Sequence, residues 1–120
     1  MNKVIKSFIF AFRGLIYLFK YERNAKIHFL FAANAIILGF LFQISYLEWV
    51  AISASLFLVI ISETFNTAIE RLTDIVSPEI NTKARIIKDL SAASVLLTSM
   101  MAFIIGSIVF GKEIISYFSR

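Results

Sequence analysis

The sequence has no cysteine, one proline, four glycines and one histidine among 120 residues. Without cysteine there is no disulfide framework, no Cys-based zinc site and no thiol chemistry. A lone histidine, His28, gives a His-clustered metal site or a Ser–His triad too little material, and its place at the head of a long apolar run reads as an interfacial residue. Charge is scarce as well. Asp, Glu, Lys and Arg make up 17% of the chain, whereas ordinary soluble domains carry about a quarter. There is no GxxxxGK[ST] loop, no GxGxxG fingerprint and no HRD or DFG element, so nucleotide-binding modules of those designs are excluded.

What the chain has instead is apolar surface: 59% of its residues are hydrophobic. A small soluble domain leaves too much of itself in water to hide that many Phe, Ile and Leu side chains, so the solvent is a bilayer. Crossing one takes about 20 apolar residues in a helix. Three segments meet that length, at about 28–45, 47–67 and 91–110. Their continuous rather than alternating hydrophobicity argues against a β-barrel. The connection between the first two, near Ser45 to Glu48, is short enough to force an antiparallel hairpin. The connection to the third contains SPEINT, residues 77–82. There Pro78 disfavours helix at Ser77, and Asn81 or Thr82 can cap the next helix.

Residues 1–24 read differently. Lys6, Arg13 and Lys20 recur every seven residues and share a helix face, while Phe8, Phe12, Leu15, Ile16 and Phe19 fill much of the remainder. That is the pattern of an amphipathic helix lying in the membrane interface. Arg13 and Lys20 interrupt the apolar stretch after the first basic residues, and no small-residue cleavage pattern follows, so no removable signal peptide is expected. Lys3, Lys6, Arg13, Lys20, Arg23 and Lys26 precede the first span, and Arg71, Lys83, Arg85 and Lys88 lie between the second and third. The positive-inside rule makes both regions cytoplasmic. The short turn and the C-terminus then lie outside, with Lys112 and Arg120 against the trend. The net charge of +4 follows from this topology, and no nucleic-acid partner is implied.

Within the second span lies ETFNTAIERLTD, residues 63–74. At about 100° per residue, Asn66, Glu70 and Asp74 fall within about 60° of Glu63, so the four polar side chains form one stripe. Counting from Leu47, Glu63 lies about one turn inside the hydrocarbon boundary, and Glu70 lies about 10 Å further toward the cytoplasm. A carboxylate inside a membrane costs enough to be a functional candidate by default. Asn66 also reads as polar glue between helices, and Arg71 and Asp74 as residues of a helix overrunning into water. ERNAK (22–26) and Lys88–Asp89 fall on the same side. Glu22, Arg23, Asn24, Lys26, Glu63, Asn66, Glu70, Lys88 and Asp89 thus gather at the cytoplasmic face. Carboxylates can hold Mg²⁺ together with phosphates, and lysine is a point charge for phosphate.

ERNAKIH, ETFNTAIERLTD and IIKDLSAASV together resemble the small prokaryotic lipid kinases, the diacylglycerol kinase and undecaprenol kinase family. The likeness runs from FRGL (residues 12–15) through the third span, with Ile87 where the family often has Ala. It implies a homotrimeric all-α bundle in the bacterial plasma membrane, with three transmembrane helices and a surface helix per chain and a cytoplasmic active site. The implied reaction moves the γ-phosphoryl group of ATP, with Mg²⁺, to a lipid hydroxyl. By matching position, Glu63 would be the general base and Asn66 would position the phosphoryl group. Glu22 and Glu70 would hold Mg²⁺, and Lys88 and Asp89 would contact the nucleotide, with Arg13 and Lys26 in the same pocket. The ERNAKIH form and Lys26 look like the undecaprenol kinase branch, with diacylglycerol as the alternative acceptor. The non-enzymatic alternative is a small membrane assembly or transport subunit with a polar helix–helix seam.

Overall fold

A computed structural model describes residues 2–120 as four helices joined by short connections: α1 (Lys3–Tyr21), α2 (Arg23–Leu41), α3 (Tyr46–Val76) and α4 (Thr82–Phe118). Among the described residues there is no strand. The helices α2, α3 and α4 are each long and apolar enough to cross a membrane. At 1.5 Å per residue, α3 is about 46 Å and α4 about 55 Å long. Both outrun a hydrocarbon core of about 30 Å, so each carries a polar extension beyond it.

Local chemistry sets the helix ends. The Asn2 side chain accepts a hydrogen bond from the Val4 N–H at 3.0 Å and starts α1. Glu22 alone leaves the helical conformation, at φ −103° and ψ 114°, so α1 and α2 are separated by a one-residue bend. Ser45 and Glu48 form a reciprocal capping box that starts α3, which satisfies two orphan N–H groups. Asn81 accepts from Lys83 N and Ala84 N and starts α4, the capping role that the sequence offered to Asn81 or Thr82.

The hairpin turn falls at 42–45, earlier than the Ser45–Glu48 position that hydropathy favours, because Gln43 adopts a φ of +50°. That left-handed geometry ends the helix even though FLFQIS contains no glycine. Glu48 therefore belongs to the first turn of α3, where it also pairs with Lys112 of α4. This pair accounts for a lysine on the side where the topology expects few cations. The third span, too, sits within a longer helix, which begins nine residues before Ser91.

The main core lies near this turn, where Ile44, Ile52, Val109 and Phe110 are buried against Ala35, Leu38, Trp49 and Leu56. Gly39 faces Trp49 so closely that an added Cβ would stand 2.5 Å from the indole ring. Gly39→Ala is expected to destabilise the hairpin by about 1–3 kcal/mol through overpacking. Thermal unfolding in detergent, followed by the fluorescence of the single tryptophan, checks this. An unchanged midpoint and emission maximum would contradict the packing. Beyond the turn, α3 and α4 run side by side, joined by polar contacts such as Ser62 Oγ to Thr98 Oγ1 at 2.7 Å. Hydroxyls of Ser55, Ser62, Thr64 and Thr73 donate to carbonyls of their own helix, so they enter an apolar setting without being left unpaired. At the opposite end α1 turns Leu18, 2% exposed, toward the other helices and leaves Val4, Phe8, Phe12 and Ile16 open.

Candidate functional site

The polar stripe of α3 lies at the end of the bundle away from the hairpin turn. Glu63 is 2% exposed, although it carries a carboxylate. The nearest opposite-charge candidate is on α2: His28 Nε2 lies 3.1 Å from Glu63 Oε1. The two are in ion-pair range, yet Oε1 has no aligned hydrogen bond. His28 thus does more than mark the membrane boundary; it turns inward against the buried acid. The inward face of α2 carries the signal that locates it, since Ala25, Ala32, Ala35 and Gly39 are spaced with His28 by threes and fours. Small residues at that spacing let the helix backbone approach its neighbours.

Around this pair the sequence-predicted residues separate into groups. Glu22, at the α1–α2 bend, and Glu70, two turns along α3, are the other acids whose charge acts on Glu63. Arg71 feels both of them. Its Nη2 donates to Glu22 Oε1 at 2.7 Å and its Nε to the Tyr17 hydroxyl at 3.1 Å. Arg71 is therefore not merely solvated: it ties the end of α1 and the bend to α3 and holds one oxygen of Glu22. Asn66 Oδ1 accepts from Ser91 Oγ at 2.7 Å, the interhelical bond that fits the glue reading. Lys88 pairs with Asp74 across α3 and α4, which turns the stripe's last acid to a partner on α4. Asp89 is exposed on the next position of α4.

Arg13 and Lys26 stand apart. Arg13 lies over the Phe10 ring at 5.6 Å, and Lys26 borders an apolar hollow with Phe12, Phe19 and Phe29. Among the described residues neither forms an ion pair with the acids. The residues that sequence reasoning left out are His28, Tyr17, Arg71 and Ser91. Each acts through another helix, so its role depends on packing register rather than on a local motif.

Two further features bear on ligands. A groove of about 810 Å³ runs between α1, α2 and α3, lined by Leu15, Phe29, Leu56, Phe57, Ile60 and Thr64 among others. It reaches the α3 turn that carries Glu63, and its walls suit an acyl or prenyl chain. As for metal, no three His, Asp or Glu side chains converge into a cage among the described residues. Mg²⁺ usually takes only one or two carboxylates and completes its shell with waters and substrate phosphates. Glu22 and Glu70 offer two carboxylates of that kind, one oxygen of Glu22 being held by Arg71.

Helices and site together define an all-helical protein with three membrane-length helices and an acidic site at one end. Comparison with known proteins narrows this further. The family model for prokaryotic diacylglycerol kinase matches residues 9–110. The undecaprenol kinase of Bacillus subtilis is 33% identical over 110 residues, which cover 92% of this chain and 89% of that one. The diacylglycerol kinase of Synechocystis sp. is 32% identical over 104 residues, covering 86% of this chain and 59% of that one. The chain belongs to the prokaryotic diacylglycerol kinase family, a family of ATP-dependent lipid kinases.

Proposed function

We propose that the protein is an undecaprenol kinase, transferring the γ-phosphoryl group of ATP to the hydroxyl of undecaprenol to give undecaprenyl phosphate. The observation that carries the site assignment is the buried carboxylate of Glu63, on an α3 turn whose neighbouring Thr64 and Phe65 line the apolar groove, with Glu22 and Glu70 as further acids whose charge acts on it. A lipid threaded along the groove brings a headgroup hydroxyl to Glu63 while its chain stays in the hydrocarbon. The Bacillus kinase supports the acceptor, because this chain spans nearly all of that protein and a smaller share of the cyanobacterial diacylglycerol kinase. Diacylglycerol is the second reading, favoured by the same groove, since it too offers a primary hydroxyl on an apolar tail.

Phosphoryl transfer needs positioning and charge stabilisation more than covalent chemistry from the protein. In this reading Glu63 takes the proton of the lipid hydroxyl, and Asn66, fixed by Ser91, orients the phosphoryl group. Glu22 and Glu70 hold Mg²⁺, which when bound offsets the charge of the ATP phosphates. Lys88 and Asp89 contact the nucleotide; for Lys88 this means exchanging Asp74 for a phosphate. Lys26, four residues from Glu22 on α2, supplies further positive charge beside the site, whereas Arg13, over the Phe10 ring, belongs with the headgroup-facing cations of α1. The helix α1 lies along the cytoplasmic membrane surface, with Lys6, Arg13 and Lys20 toward lipid headgroups and Phe8, Phe12 and Ile16 in the acyl region. Three copies assemble as a homotrimer in the plasma membrane, with the N-terminus and the site on the cytoplasmic side.

The test is transfer from γ-labelled ATP to undecaprenol by purified protein in detergent. Labelled undecaprenyl phosphate is expected only with Mg²⁺, and excess EDTA is expected to abolish it. Metal-independent transfer would remove the role given to Glu22 and Glu70. The absence of any labelled lipid from folded protein would return the small assembly or transport subunit to consideration.

A further inference from the structure

A buried anion needs compensation, because a carboxylate withdrawn from water without partners is costly. Glu63 is 2% exposed and its Oε1 lacks a hydrogen bond. Glu22 and Glu70, whose charges act on it, are both acids. If Glu63 takes a proton from the lipid, it must also lose that proton before the next turnover. Its own side chain has almost no contact with solvent through which to do so. Among the described residues, the side chain in ion-pair range is His28, whose Nε2 is 3.1 Å away and whose ring keeps 22% of its surface open. His28 also borders a cleft of about 390 Å³ between α2, α3 and α4 that includes Asn34, Ser55 and Ser99. The geometry is that of a base with a second proton acceptor behind it.

We propose that His28 is a positioning residue for Glu63 and the outlet for the proton that Glu63 removes. The proposal rests on Glu63 acting as the base. The tautomer of neutral His28 with its proton on Nδ1 is the one that takes part, because it leaves Nε2, 3.1 Å from Glu63 Oε1, free to accept when the hydroxyl proton arrives. As the lipid oxygen bonds to the γ-phosphorus, the bond from phosphorus to the β,γ-bridging oxygen breaks and its electron pair leaves with ADP. The hydroxyl proton passes to Glu63 and on to Nε2 of His28. The charged imidazole and the restored carboxylate then form an ion pair across the observed contact. Nδ1 of the partly open ring gives its proton to water, and tautomer exchange returns the remaining proton from Nε2 to Nδ1, so each turnover releases one proton and leaves both residues as they began.

The test compares His28→Gln, His28→Ala and Glu63→Gln with wild type at saturating Mg-ATP and lipid, each confirmed as folded by circular dichroism. His28→Gln keeps polar volume but cannot carry a proton. Both His28 variants are expected to lose about a hundredfold in kcat, the lower end for a positioned acid–base group, with an unchanged KM for Mg-ATP. Added imidazole is expected to restore part of the turnover of His28→Ala and none of Glu63→Gln. A purely structural role for His28 would not respond to imidazole. Wild-type kcat in His28→Gln beside an inactive Glu63→Gln would overturn the relay and leave the base assignment standing. Loss in both His28 variants with no imidazole response would also overturn it. An active Glu63→Gln would overturn both assignments together.

Discussion

Glu63→Gln is expected to lower kcat by about 10²–10⁴-fold, the usual contribution of a positioned general base, while leaving nucleotide binding near wild type. The substitution removes the proton acceptor but keeps the shape, and it takes a charge out of an almost fully buried position. Folding is therefore expected to survive it, because a neutral amide is less costly to bury than an unpaired carboxylate. Steady-state kinetics and equilibrium binding of a non-hydrolysable ATP analogue separate the two effects. A folded Glu63→Gln protein that turns over at the wild-type rate would sink the base assignment. Glu63→Asp supplies a graded control: the carboxylate stays, but retreats by one methylene from the position His28 faces at 3.1 Å. An intermediate loss is expected, because reaction geometry tolerates little misplacement.

Glu70→Ala is expected to act on the other substrate. Glu70 sits two turns beyond Glu63 on α3, about 10 Å along the axis, too far for both to serve one metal readily. Removing it takes away one of two proposed metal-holding carboxylates. The apparent KM for Mg-ATP is then expected to rise at least about tenfold, a loss that even outer-shell partners of metal sites can cause. Raising the Mg²⁺ concentration is expected to recover part of the rate in Glu70→Ala and none in Glu63→Gln. An unchanged KM for Mg-ATP would contradict the role. Glu22 is a less direct test, because its Oε1 is also held by Arg71 and its replacement would loosen the α1–α2 bend as well.

Much of this arrangement is legible in the sequence because it obeys local rules. Unbroken apolar runs mark the three long helices, and the side chain of Asn81 marks the start of the last. The alignment of Glu63, Asn66, Glu70 and Asp74 follows from helix periodicity alone. The hairpin turn was harder to place, since Gln43 takes a left-handed conformation that sequences usually signal with glycine. Hydropathy cannot divide FLFQISYLEWV into a helix end, a turn and a cap. The pairings within the site were hidden for another reason. His28 with Glu63, Arg71 with Glu22 and Tyr17, and Lys88 with Asp74 each join residues far apart in sequence, and packing sets their register. A lone histidine before an apolar run looks the same whether it faces headgroups or a buried acid. Only the small residues Ala25, Ala32, Ala35 and Gly39 reveal which way that face of α2 turns.

The most direct measurement is a competition in one set of vesicles containing undecaprenol and diacylglycerol at equal concentration, with γ-labelled Mg-ATP and the purified protein. The label in each lipid product reports the ratio of the two kcat/KM values. Most of the label is expected in undecaprenyl phosphate, with little in phosphatidic acid. Predominant labelling of phosphatidic acid would contradict the acceptor assignment, and no labelled lipid from folded protein would contradict the kinase reading of the Glu63 site itself.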